Sequence, residues 1–218
     1  MPDILHSSSD LSKAFRLHLS AINGAIKPAD SKVLWQDIAI RYSESARAYH
    51  TLRHLEQLFA QFKVIEKWLY EPNIIALALY YHDVIYDPTR ADNELKSAEY
   101  AIDKLKDYLT QTQCQRIYEL IMMTAKHQLD NKTDSDGAYL LDMDLSILGS
   151  HESDYQQYAA AVRQEYAHVS AANYRTGRTA ILQGLLAHSR LYITDYYYQR
   201  LEALARQNIK REIILLAA

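Results

Sequence analysis

Cysteine, glycine and proline are scarce in this sequence of 218 residues. Cys114 is the only cysteine, which excludes an intrachain disulfide and a metal centre built from several thiolates, and which fits a reducing cytoplasm. Five glycines and four prolines are too few for the turns of a many-stranded sheet protein, because these residues punctuate most of its connections. The composition therefore favours helices before any pattern is considered.

Basic clusters and long apolar runs are also missing. The formal net charge is −3, from 24 basic and 27 acidic residues, and no run of Lys or Arg resembles a footprint for a nucleic-acid backbone. No apolar run approaches the ~20 residues that span a bilayer, and the first residues lack a basic segment followed by an apolar one. We therefore expect a cytoplasmic protein without a nucleic-acid or membrane partner.

The remaining pattern is helical. Hydrophobic residues make up 49% of the chain and recur three and four apart, as in an ordinary globular protein built from amphipathic helices. We predict an all-α fold in a single domain over residues 1–218. N-terminal helices within 1–40 would pack on a core of about 43–150, and further helices would cover about 151–216.

Two predicted helices of the core carry the residues of chemical interest. One covers about 43–69, with Ser43 as a possible N-cap. The other covers about 74–86, begins near Pro72 and is apolar on nearly every side, which indicates a helix surrounded by others.

His82 and Asp83 close the apolar helix. Burying an ionisable pair against so much apolar surface costs several kcal/mol unless a partner neutralises it, and a metal ion is one such partner. The alternative is an ordinary helix end, with His82 packed in the core and Asp83 in water.

Further candidates flank this pair in the sequence. His50 and His54 are four residues apart, which places them on one face of the predicted helix 43–69. Asp144 lies among apolar residues on a later predicted helix and would also need a partner. Asp142 is its rival, because both carboxylates flank the same helical turn.

In chain order these residues form the pattern His, His-Asp, Asp, and several short motifs accompany it. The motifs are Arg47-x-Tyr49-His50-x-x-x-His54, Tyr81-His82-Asp83-Val84-Ile85-Tyr86-Asp87, Asp92-Asn93-Glu94-x-x-Ser97-Ala98, Thr124-x-x-His127 and Leu141-Asp142-x-Asp144. With them the chain resembles the HD superfamily of metal-dependent phosphohydrolases, and most closely a small subgroup of its predicted members, over about residues 33–212. The resemblance implies an HD-domain helical bundle with the metal site in the core of about 43–150.

The resemblance also implies a ligand set. His50, His82, Asp83 and Asp144 would bind a divalent metal ion, for which Mn, Fe, Co, Ni, Zn and Mg all suit two nitrogens and two carboxylates. His54 is expected beside the ligands or in the core. His127 would contact a metal ion or the substrate, or else have a structural role.

The activity implied is hydrolysis of a nucleotide or another small phosphoester by a metal-activated water. Asp83 and Glu94 are the candidate catalytic carboxylates, Glu94 as general base, although Glu94 would also stabilise a helix N-terminus. Arg47 is the first candidate for binding the substrate phosphate and Arg178 the second, with a surface salt bridge as the alternative for either. A di-iron HD enzyme that uses oxygen and a non-catalytic nucleotide- or metal-binding regulatory protein are the competing hypotheses.

Overall fold

The computed structural model describes residues 4–129 and 131–217, with side chains from residue 9 onward. Over these ranges the chain forms ten α-helices, two short 3-10 helices and no strand, which confirms the all-α prediction. None of the described helices combines the length and the hydropathy needed to cross a bilayer. The α-helices are α1 Ile4–Ile22, α2 Pro28–Arg41, α3 Leu52–Ile65, α4 Pro72–Tyr81, α5 Asn93–Leu105, α6 Gln111–Thr124, α7 Ser135–Asp144, α8 Glu152–Glu165, α9 Ala171–Ala187 and α10 Asp195–Ala217; the 3-10 helices are Glu66–Trp68 and Leu145–Gly149.

The helices group into two compact units, Met1–Leu140 and Leu141–Ala218. The boundary falls within α7, so this helix begins in the first unit and ends in the second. That residues 1–218 form a single domain stays a prediction.

Helix α4 is the centre of the first unit. All eight residues from Ile74 to Tyr81 are buried, and α4 contacts α1, α3, α5 and α6. Such surroundings are what an all-round apolar surface requires. Pro72 lies in the first turn of α4, where its missing N–H costs no hydrogen bond.

The two predicted helices of the core are both shorter than expected. Helix α3 begins at Leu52 and not near residue 43, and the hydroxyl of Ser43 caps no helix but donates to the Ala39 carbonyl. Helix α4 ends at Tyr81 and not near residue 86. In both places side chains bind backbone groups that a longer helix would use: Arg47 binds the carbonyl of His50 before α3, and Ser97 binds the amide of Ile85 after α4.

The second unit contains a buried ion pair between Arg178 and Glu212. The Arg178 guanidinium binds the Glu212 carboxylate through Nε at 2.8 Å and through Nη2 at 3.1 Å, and the Tyr155 hydroxyl donates to the same carboxylate at 2.6 Å. A buried pair of this kind needs such saturation to offset its desolvation. Arg178, the second candidate for a substrate phosphate, therefore joins α9 to α10.

Candidate metal centre

His82 follows the last residue of α4 and is only 2% exposed. Its Nδ1 lies 2.8 Å from the Leu79 carbonyl oxygen. A carbonyl can only accept, so Nδ1 carries a proton and Nε2 is the nitrogen that remains to bind an ion. Ligating histidines have their second nitrogen fixed by an outer partner in the same way, which sets both tautomer and ring orientation.

His54 projects from the first turn of α3 and is also 2% exposed. Its Nε2 lies 3.3 Å from Nε2 of His82. Two nitrogens bound to one zinc ion at about 2.0–2.1 Å with a tetrahedral angle lie roughly 3.3–3.4 Å apart. The separation of these two nitrogens therefore fits a shared metal ion.

Asp83 supplies a carboxylate to the same cluster. Its Oδ2 lies 3.0 Å from Nε2 of His82, 3.7 Å from Nε2 of His54 and 3.8 Å from Nε2 of His50. One carboxylate oxygen thus has three imidazole nitrogens around it. A hard oxygen beside intermediate nitrogens is a donor set that suits the divalent metals from manganese to zinc.

His50 does not lie on a helix, contrary to the sequence expectation. It precedes α3, and Thr51 between them is extended, with φ −116° and ψ 179°. The imidazole is nevertheless near the cluster, 5.8 Å from the His54 ring between centroids, and it stacks on Tyr86 at 4.0 Å. With 20% of its side chain exposed, His50 is the most open of the three histidines.

Side chains of α5 hold the segment that follows Asp83. The Ser97 hydroxyl bonds both the amide and the carbonyl of Ile85, at 3.1 Å each. The Asn93 side chain does the same for Asp87, at 3.0 and 2.9 Å. These contacts replace helical hydrogen bonds after α4. Asn93 and Ser97 therefore have a structural role beside the cluster, which their place in the sequence motif did not reveal.

Arg47 is buried, and its guanidinium donates to three backbone carbonyls. Nη1 lies 3.1 Å from the His50 carbonyl oxygen and 2.7 Å from that of Asp83, while Nη2 lies 2.9 Å from that of Val84. The Nε faces Glu44 at 3.4 Å. The predicted phosphate contact of Arg47 stays a prediction, but these donors are directed to the protein's own backbone.

Asp144 and Asp142, the two rivals, have different surroundings. Asp144 is the last residue of α7 and is half-buried. Asp142 is buried, and its carboxylate accepts from the amides of Ile193 and Thr194 and from the Thr194 hydroxyl, each at 2.7 Å. Burial raises the pKa of Asp142 to about 6, against the lowering effect of these hydrogen bonds. Asp142 therefore binds the backbone just before α10, within the second unit.

Glu94 and His127 are the remaining candidates. Glu94 lies half-buried in the first turn of α5, next to Asn93. His127 follows the end of α6 and has a φ of 48°, in the left-handed region that non-glycine residues rarely adopt. Backbone in that region is compatible with a functional constraint, but the predicted metal or substrate contact of His127 stays a prediction.

No family model, no curated protein and no solved structure matches this chain. The geometry supports a cluster of the buried His54 and His82 with the carboxylate of Asp83, and these donors can hold a metal ion. The HD resemblance and the hydrolytic activity remain expectations drawn from the motifs.

Proposed function

We propose that this chain is a metal-dependent phosphohydrolase whose ion is bound by His54, His82 and Asp83, together with Asp144, the last ligand that the HD resemblance implies. The observation that carries the proposal is the pair of Nε2 atoms of His54 and His82, 3.3 Å apart, with the Nδ1 of His82 fixed by the Leu79 carbonyl. Two imidazoles that share one ion require this separation of their nitrogens, and Asp83 adds a carboxylate oxygen at the same place.

The choice of His54 differs from the ligand set that the resemblance implies. His54 is nearly as buried as a core residue can be, whereas His50 is more open and lies on the Tyr86 ring. In the proposal His54 binds the ion, and His50 lies at the approach to it.

Asp144 enters the proposal through its position in the sequence pattern. Its rival Asp142 accepts three hydrogen bonds from Ile193 and Thr194, which commits it to the backbone just before α10. Asp144 is half-buried at the end of α7 and keeps the role that the resemblance gives it, that of a second carboxylate ligand.

When bound, a divalent ion lowers the pKa of a coordinated water from 15.7 toward about 7 and polarises a phosphoryl oxygen. The histidines and aspartates would orient the ion, and the burial of His54 and His82 excludes bulk water from one side of it. Glu94 remains our candidate to accept the proton, because Asn93 beside it is fixed to Asp87 in the segment that follows Asp83. A nucleotide or another small phosphoester is the proposed substrate.

The experiment is a metal analysis by plasma mass spectrometry of protein purified without chelator or affinity tag. We expect about one transition metal per wild-type chain, loss of metal in His54→Ala, His82→Ala and Asp144→Ala, and an unchanged content in His188→Ala, an exposed control. Turnover of phosphomonoesters and nucleotides is then measured with the ion that was found.

Each alternative has its own outcome. A folded wild type that takes up none of Mn, Fe, Co, Ni, Zn or Mg overturns the proposal. Metal binding without product from any phosphoester points to the regulatory, non-catalytic protein. Two irons per chain and an oxygen-dependent reaction point to the di-iron class.

A further inference from the structure

The buried guanidinium of Arg47 joins two segments that are distant in the sequence. The Arg47 side chain is 1% exposed. It bonds the carbonyl of His50 on one side and the carbonyls of Asp83 and Val84 on the other. Both segments are irregular backbone, one before α3 and one after α4, so helical hydrogen bonds do not hold them.

The charge of Arg47 is not neutralised by a buried carboxylate. Glu44, its partner at 3.4 Å, has a side chain that is 39% exposed. Carbonyl oxygens and aromatic faces take the place of a counter-ion: the guanidinium carbon lies 5.0 Å from the Tyr42 ring centroid and 5.6 Å from that of Tyr86. Burying a cation costs free energy. Here the hydrogen bonds to three carbonyls offset that cost, and they depend on the planar shape of the guanidinium.

The contacts of Arg47 continue into the candidate metal centre. Tyr86, on which the guanidinium lies, stacks in turn on His50. The carbonyl of Asp83 belongs to the residue whose carboxylate is 3.0 Å from His82. One side chain thus fixes the backbone of His50 and of Asp83 at the same time.

We infer that Arg47 is a positioning residue for the metal centre, rather than a group that binds the substrate phosphate. Its planar fork of donors reaches three carbonyls, which a lysine ammonium at the end of a flexible chain cannot reproduce. The inference rests on the proposed function, since it requires that an ion binds here. Loss of an outer-shell partner typically costs 10–100-fold in metal affinity.

The test compares metal affinity with stability in Arg47→Ala, Arg47→Lys and Arg41→Ala. Arg41 is a matched control, because it also contacts Glu44 at 3.4 Å, yet its side chain is 39% exposed. Affinity for cobalt(II) is measured by chelator competition on folded protein, together with the visible spectrum of the bound ion. The free energy of unfolding is measured separately without metal.

We expect Arg47→Ala to bind cobalt(II) about 10–100-fold more weakly with an altered spectrum, Arg47→Lys to recover part of the affinity, and Arg41→Ala to match the wild type. Reduced stability together with unchanged affinity and spectrum would mean that Arg47 only supports the fold, and would overturn the inference. A wild type that binds no metal would overturn both this inference and the proposed function, so the two failures are distinguishable.

Discussion

Replacing Gly149 by alanine would place a methyl group against the backbone of α10. The added Cβ would lie 2.5 Å from the Leu201 Cβ, 3.0 Å from its carbonyl oxygen and 3.1 Å from its Cα. A helix backbone cannot yield as a flexible side chain does, so the 3-10 helix Leu145–Gly149 must shift. The Asn208 amide holds this segment on both sides of the glycine, through the carbonyls of Leu148 and Ser150 at 2.9 Å each.

The expected cost combines two effects. Overpacking a close contact costs about 1–3 kcal/mol, and weakening one or two buried hydrogen bonds adds roughly 1 kcal/mol. We therefore expect Gly149→Ala to lower the free energy of unfolding by about 2–4 kcal/mol. Denaturant unfolding of metal-free protein, followed by circular dichroism, measures the difference without a contribution from bound metal.

Gly184 provides a control of opposite sign. It is exposed within α9, and an added Cβ would have no atom within 4 Å. Alanine is the better helix former, so Gly184→Ala should raise the free energy of unfolding by about 0.5–1 kcal/mol. If Gly149→Ala proves as stable as the wild type, the close approach of Gly149 to Leu201 is not what the structure describes and the reasoning is refuted.

Two further substitutions test carboxylates outside the proposed ligand set. Asp142→Ala leaves the part-buried amides of Ile193 and Thr194 without their acceptor, so we expect a loss of about 1–3 kcal/mol in denaturant unfolding, at about 0.5–1.5 kcal/mol for each lost hydrogen bond, with the metal content unchanged. Burial alone would raise the pKa of Asp134, but the Arg116 guanidinium and a backbone amide outweigh it and the pKa lies below its usual range. This stabilisation is complete above the ordinary carboxyl pKa of about 3.9 and is lost as the pH falls through the lower folded-state value. Thermal unfolding from pH 7 to 3 should show the loss in the wild type and a smaller one in Asp134→Asn.

The sequence predicts the helices better than it predicts where they end. The all-round apolar surface of α4 identified it as a buried helix, because no other arrangement satisfies such a surface. Its end at Tyr81 was not predicted. The groups that end it are the Arg47 guanidinium and the Ser97 hydroxyl, which are distant in the sequence and act on carbonyls and amides of residues 83–85.

The same limit applies to the candidate site. Pairing His82 with Asp83 followed from the cost of burying two ionisable groups, and the structure brings both to one cluster. The spacing of His50 and His54 predicted a shared helix face, which was wrong because His50 precedes α3. The i, i+4 pattern indicated both histidines, but only the three-dimensional burial separates the enclosed His54 from the more open His50.

The two enclosed histidines and Asp83 present their donor atoms to one place. A metal ion binds an imidazole through a ring nitrogen that carries no proton. The Leu79 carbonyl accepts from Nδ1 of His82, so Nε2 of His82 is the nitrogen that faces both Nε2 of His54 at 3.3 Å and Oδ2 of Asp83 at 3.0 Å. An ion bound by both nitrogens displaces any proton between these groups, so binding of the ion is coupled to proton release. The two nitrogens already lie at the separation that a shared ion needs, so the geometry of the buried pair is set by the fold and not by the ion.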